Sequence, residues 1–291
     1  MQLIRGNDEG ARESVPGNIR MDGGDRSPDR SRAVLITGAT SGIGFAAARH
    51  FLDRGALVIG IGRSAQRCSR AQRMLAGAGA GAGSGEVRFV TADLSAMSEV
   101  RRAAAQVRTL LRRNRKPGLE VLINNAAAVP TRRMESPDGY ELQLALGHLA
   151  PFLLTCELLP IIAASGDGRV ITVSSGSHRS GRIHWRDPQL SGRYGPLRAY
   201  AQTKLANVLF TRELNQRLPE GAPVRAAAFD PGLVRTEIGH KYASGLAYAV
   251  WSLRKIAARP PEEAAAWLRN LATQPRERLE AGEYWKKGKS V

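Results

Sequence analysis

Tyr200 and Lys204 stand four residues apart in YAQTKLANVLF, a stretch whose apolar spacing predicts a helix. Residues at i and i+4 share a helix face, so a phenol and an ammonium come to lie side by side. A neighbouring cation stabilises phenolate and lowers a phenol from its ordinary pKa of about 10. The pair can then give a proton to a reacting oxygen, or take one from it, near neutral pH. Ser175 closes the apolar run RVITVSS, and its hydroxyl can hydrogen-bond that same oxygen. These three residues move protons. They do not by themselves move electrons.

A nucleotide-sized partner is suggested upstream. TGATSGIG, Thr37 to Gly44, lies between a short apolar run and a helical pattern. Gly38, Gly42 and Gly44 permit a tight turn and let a pyrophosphate approach the backbone, while the helix behind them offers free N–H groups and the positive end of its dipole. Thr40, Ser41 and Ile43 complete that turn. The next strand ends at Gly62-Arg63-Ser64 with no acid to hold ribose hydroxyls. Arg63 can instead meet a 2′-phosphate with a planar, permanently charged fork, which favours NADP(H) over NAD(H). Asp93 and Leu94 follow the third strand, where a carboxylate could accept from an adenine amino group or cap the following helix. Asn124-Asn125-Ala126-Ala127 ends the fourth strand and could tie neighbouring loops together beneath a cofactor.

Those motifs need a scaffold that brings strand ends together. The apolar runs predict strands at Val34–Ile36, Ala56–Gly62, Val87–Ala92, Val121–Ile123, Val170–Val173 and Val224–Phe229, with a short last one at Gly282–Trp285. Between them, helical patterns cover Ile43–Arg54, Ala65–Leu75, Ser98–Arg113, Gly139–Ala163, Ala199–Leu218 and Glu262–Ala272, with Pro151 as an expected kink. Strict alternation predicts an α/β fold, a Rossmann-type doubly wound parallel sheet of about seven strands with helices on both faces. Ligands then bind beyond the carboxyl ends of the strands, where every motif above falls. Residues 1–31 lack periodic apolar positions and are expected to form a disordered tail, leaving 32–291 as one domain. The run AGAGAGAGSG, residues 76–85, reads as a flexible loop.

Composition excludes several classes. At 291 residues the chain can bury roughly three quarters of its unfolded surface and needs no staples. Two distant cysteines, Cys68 and Cys156, make no disulfide framework or CxxC site, so a reducing cytoplasm is expected. The five histidines show no HxxxH pair, so no metal is expected. No apolar stretch reads as long enough to span a membrane, and no secretory leader is evident. The net charge of +17 comes with only 5% aromatics, which do not interleave with the arginines, so nucleic acid is not the expected partner. A homo-oligomer is left open.

Taken together, TGATSGIG, Asp93-Leu94, NNAA, RVITVSS, YAQTKLANVLFTREL and Asp230-Pro231-Gly232 with Thr236 resemble the short-chain dehydrogenases/reductases, most closely their retinol-dehydrogenase-like branch. The resemblance runs from about Ala33 to Trp285. It implies that Ser175 polarises a carbonyl, that Tyr200 is the general acid/base, and that Lys204 binds the nicotinamide ribose and tunes Tyr200. Asn125 and Ala126 would contact the cofactor, and Pro231, Gly232 and Thr236 would lie along its nicotinamide half. The implied activity is an NADP(H)-dependent carbonyl reductase or alcohol dehydrogenase.

Two departures stand out. Ala127 replaces the family's usual Gly, and Gly147 replaces the Asn that completes its catalytic tetrad. The second could reroute proton relay, through His148 or water, or mark a non-redox cyclase or dehydratase on the same fold. A non-enzymatic cofactor-binding or nucleic-acid-binding protein is a further alternative, motivated by the charge. Ile238, Tyr242, Leu246, Val250 and Leu253 recur at near-helical spacing and could form an apolar lid over a hydrophobic substrate. His178, His184, Trp185 and Tyr194 would rim the same pocket.

Overall fold

The alternation of short, fully apolar runs with amphipathic stretches resolves into one parallel sheet covered on both faces. The structure is a computed structural model that describes residues 32–78, 85–235, 258–280 and 284–291. The first strand, β1 (Ala33–Thr37), is buried along its whole length because both of its faces are covered. Val34 and Ile36 pack on one side, Ala33 and Leu35 on the other, as the two-residue period of a strand requires. The first side carries α1 (Gly42–Leu52) and α7 (Pro261–Thr273), which pack against each other. The second carries α3 (Met97–Arg113) and α5 (Ala150–Ala163).

The remaining strands are β2 (Leu57–Gly62), β3 (Glu86–Thr91), β4 (Val121–Asn124), β5 (Gly168–Val173), β6 (Val224–Asp230), β7 (Tyr284–Lys286) and β8 (Lys289–Ser290). Their order is β3-β2-β1-β4-β5-β6-β7-β8, with all pairs parallel except β7–β8. The order reverses between β1 and β4, so a crevice opens there beyond the carboxyl ends. The helices α2 (Ala65–Ala78), α6 (Pro196–Arg217) and α8 (Arg276–Glu280) complete the layers.

Four expectations need correction. The sheet has eight strands rather than about seven. The eighth is a two-residue exposed strand, closed by Lys287 and Gly288, both with positive φ (52° and 79°). Such a pair is the tight hairpin turn that matches strand twist, and two residues are too few to leave a period. The expected helix from Gly139 to Ala163 is three pieces: α4 (Leu142–Leu144), a π-helical turn at Ala145–Leu149, and α5. Pro151 therefore sits in the first turn of α5 rather than at an interior kink. Finally, Leu142–Ala163 is, by length and composition, apolar enough to cross a membrane, contrary to expectation. Here Leu154, Leu158 and Ile162 of this stretch are buried in the core beneath the sheet. The expected disordered tail, the middle of the glycine-rich loop and Gly282 lie outside the described residues.

Candidate active site

The glycine turn is built by close approach. Gly38 has φ +68°, and a Cβ there would stand 3.1 Å from both Ala126 Cα and the Asn125 side-chain amide nitrogen. A Cβ on Gly44 would come within 2.5 Å of the Gly38 carbonyl oxygen, so only hydrogen fits. Thr37 organises this junction. Its hydroxyl accepts from the backbone N–H of Asn125 and of Ala126, each at 2.9 Å. The Asn125 amide donates back to the Thr37 carbonyl at 2.9 Å. The ends of β1 and β4 are thus locked together across the switch point. Asn124 points the other way, donating to Thr155 Oγ1 at 3.1 Å inside the core. Ser41 precedes α1 without capping it, and no acid occupies the first turn of that helix. The N–H groups at this terminus keep their capacity for an anion.

Gly38, Thr40, Ser41, Gly42 and Ile43 line one end of a cavity of about 1010 Å³. Gly44 supports it from behind. Beside them are Arg63, Ser64 and an unanticipated second cation, Arg67. Gly62 is required there, because a Cβ would press within 2.6 Å of the Thr40 methyl and 2.8 Å of Cys68 Sγ. Asp93 and Leu94 also line the cavity. Asp93 Oδ1 accepts from the Ser95 N–H (3.1 Å) and hydroxyl (2.7 Å), which fixes the turn. It does not cap α3, whose Met97 N–H goes to Asp138 Oδ2 at 2.7 Å.

The other end of the cavity holds Ser175, Tyr200 and Lys204 together, with Asn125, Ala126, Pro231 and Gly232 around them. The helix α6 is tied to β5 where it matters: Ser174 Oγ donates to the Lys204 carbonyl at 3.0 Å, and Lys204 Nζ donates to the Val173 carbonyl at 2.8 Å. Lys204 is buried, and its surroundings push its pKa down to about 8, with the Asp230 carboxylate opposing that shift. The Tyr200 phenol moves up, not down. Burial is the main cause, a hydrogen bond with Ser175 resists it, and the Asp230 charge adds to it. The expected lowering by Lys204 is absent in this arrangement, because Nζ lies 5.5 Å from the ring centroid and is turned to the Val173 carbonyl.

Gly147 has a packing explanation. A Cβ there would stand 2.6 Å from the Thr203 methyl, so α6 can approach the π turn this closely only over a glycine. Pro151 has no N–H to give the Gly147 carbonyl its α-helical bond. Asn207 Nδ2 on α6 supplies the missing donor at 2.9 Å. His148 joins the same knot, its Nδ1 at 3.0 Å from Asn207 Oδ1, and is not among the cavity-lining residues.

The expected aromatic rim is not brought together at the cavity. Tyr194 is held by Gln143 and Glu141, at 2.9 and 3.3 Å, and its phenol is pushed up to about 12, chiefly by burial. His184 contacts Arg198, and Trp185 is 83% exposed. His178 packs on Tyr284 with ring centroids 4.6 Å apart. The walls come instead from Leu142, Leu146, Leu233, Val234, Ala258 and the hairpin residues Lys286 and Lys287. Only the tertiary fold brings that hairpin here, so no local signal could have found it. Thr236 and the expected lid, Ile238 to Leu253, lie outside the described residues.

The model of the short chain dehydrogenase family matches residues 32–247. Retinol dehydrogenase 14 of Mus musculus is 36% identical over 284 residues, spanning 94% of this chain and 83% of that protein. Human polyprenol dehydrogenase is 36% identical over 72% of this chain and 63% of its own length. Among solved structures, an uncharacterized protein from Mycobacterium paratuberculosis is 36% identical with a TM-score of 0.62, covering 83% of this chain and 78% of that one. The NADPH-bound carbonyl reductase from chicken fatty liver, 21% identical, shares the fold with a TM-score of 0.66 over 90% of this chain and 98% of its own. The chain belongs to the short-chain dehydrogenase/reductase family, in its retinol-dehydrogenase-like branch.

Proposed function

We propose that the protein is an NADP(H)-dependent carbonyl reductase or alcohol dehydrogenase acting on an apolar small molecule. The observation that carries this is one cavity with Ser175, Tyr200 and Lys204 at one end and the glycine turn with Arg63 and Arg67 at the other. The residues fit the cofactor. The tight contacts at Gly38 and Gly44 leave a bare backbone surface, and the uncapped terminus of α1 suits a pyrophosphate. Arg63, Ser64 and Arg67 suit a 2′-phosphate. When bound, the cofactor supplies the hydride.

The chain's own residues handle the oxygen. Ser175 holds the carbonyl oxygen, and Tyr200 gives it a proton during reduction or removes one during oxidation. Lys204 holds the ribose and contributes positive charge. The substrate class draws on the apolar walls at Leu142, Leu146, Leu233 and Val234, and on the retinol and polyprenol relatives. A reducing cytoplasmic setting belongs to the same reading, supported by two free cysteines. The non-redox alternative drew on Gly147, which Thr203 accounts for sterically.

The test is a parallel titration with NADPH and NADH, following quenching of the four tryptophans. NADPH is expected to bind at least about tenfold tighter, and Arg63→Ala to erase most of that preference, since charge-assisted hydrogen bonds contribute about 1.5–3 kcal/mol. Binding of neither nucleotide would overturn the assignment.

A further inference from the structure

Asp230 is the last residue of β6, buried, and faces the same cavity as Tyr200 and Lys204. Its carboxylate is held on both sides. Oδ1 accepts from the Gly232 N–H at 2.8 Å, and Oδ2 accepts from the Tyr284 hydroxyl at 3.0 Å. Its main chain is pinned as well, because the Lys287 N–H donates to the Asp230 carbonyl at 3.0 Å. Both donors to the carboxylate, a backbone N–H and a phenol, are neutral. They orient the carboxylate without cancelling its charge.

A buried carboxylate held only by neutral donors needs a compensating cation within its field. Among the described residues, the titratable and charged groups around it come from three elements. From α6 come Tyr200 and Lys204. From the 3₁₀ turn Gly176–Ser180 come His178, stacked on Tyr284, and Arg179, whose charge acts on the Tyr284 phenol. From the terminal hairpin come Tyr284, Lys286 and Lys287. Of the cations, Lys204 is the buried one, with a neutral carbonyl as its hydrogen-bond partner. Among the described residues, neither of these two buried charges has a contact partner of opposite sign, and both line one cavity.

We propose that Asp230 is a positioning residue for the reaction: pinned by Tyr284 and Gly232, its carboxylate keeps the Lys204 ammonium charged at neutral pH. The two act through the field across the cavity rather than as a contact pair. The electrostatics agree in direction, since burial drives Lys204 down to about 8 and Asp230 is the group that opposes this. Without the carboxylate, Lys204 would titrate lower still, and a smaller fraction of it would be charged at neutral pH. The same charge resists ionisation of Tyr200, so Asp230 favours the protonated phenol that carbonyl reduction requires. The proposal rests on the oxidoreductase reading for its purpose, but its electrostatic content can be measured without turnover.

The experiment is an NMR titration of the full chain carrying lysine labelled with carbon-13 at Cε. The sequence has only seven lysines, so Lys204→Arg suffices to assign the signal. Lys204 is expected to titrate near 8, and in Asp230→Asn to fall by about one unit, a tenfold drop in proton affinity. Tyr284→Phe, which leaves the charge in place, is expected to move it far less. If Asp230→Asn does not fold, Asp230→Ser, which keeps an acceptor for the Gly232 N–H, takes its place. With a carbonyl substrate, the alkaline limb of the kcat/KM profile is expected to shift downward with the NMR value. A Lys204 pKa unchanged in the neutral variants overturns the proposal. Failure to reduce any carbonyl, with the NMR shift intact, would instead count against the oxidoreductase reading alone.

Discussion

The two ends of the cavity are made from different materials. The end with the glycine turn is backbone: bare Cα atoms, a helix terminus and exposed arginines that touch solvent. The end with Tyr200 is side chain: buried or half-buried groups whose protonation depends on what surrounds them. The first end works through shape, which sequence spacing encodes directly. The second works through desolvation and the Asp230 field, which only the assembled fold creates. The two ends should therefore fail differently.

The sharpest separation is expected from Tyr200→Phe. Removing the hydroxyl deletes the proton donor, so turnover should fall roughly 100- to 10,000-fold, the span typical of general acid–base catalysis. NADPH affinity should stay within about twofold by tryptophan quenching, because the phosphate-binding end is untouched. Wild-type turnover in the variant would remove Tyr200 from the chemistry.

Lys204→Met tests burial itself. Lys204 titrates near 8 in the folded protein, below its ordinary 10.5, so the folded state holds the proton more weakly than the unfolded one. That shift opposes folding by roughly 3 kcal/mol at pH below 8. The opposition fades as pH rises from about 8 to 10.5, where both states lose the proton. Allowing about 1 kcal/mol for the lost bond to Val173, the variant should be inactive yet roughly 2 kcal/mol more stable at pH 7. Its advantage should vanish above pH 10.5. Denaturant melts at several pH values would show this, and equal stability at pH 7 would contradict it.

The smallest effect concerns the packing of α6, which carries Tyr200, against the π turn. Gly147→Ala pushes a methyl against Thr203, and overpacking of this kind costs about 1–3 kcal/mol. Thr203→Ser removes the opposing methyl, so the double variant should recover most of the loss. A double-mutant cycle with no coupling would show that α6 and the π turn are not size-matched.

The legibility of the sequence follows the same division. Gly38, Gly44 and the Tyr200–Lys204 spacing were readable because covalent spacing on a strand or helix decides who meets whom. The parallel sheet was readable from β-strand runs buried on both faces. Arg67 was missed although it lies four residues after Arg63 on the adjoining helix. Lys286, Lys287 and Tyr284 could not be read, since their approach to Asp230 depends on β7 pairing with β6. The aromatic rim failed for a different reason: Tyr194 and His178 are consumed in holding loops together. The acidity expected for Tyr200 failed because proximity along a helix does not say where the ammonium points.

The π turn at Ala145–Leu149 also has a bearing on length variation in this part of the chain. A π turn accommodates one residue more than a regular helix would need. Deleting one residue there would let the backbone close into ordinary α-helix, short only of the bond that Pro151 cannot donate. Everything after it would keep its phase, because five residues at the wider π spacing sweep nearly the same angle as four at about 100° each. Leu154, Leu158 and Ile162 would stay on the sheet, and Phe152 and Cys156 outside. The segment is therefore tolerant of a single-residue deletion inside the π turn and intolerant of one inside α5, where no spare residue absorbs the change of phase.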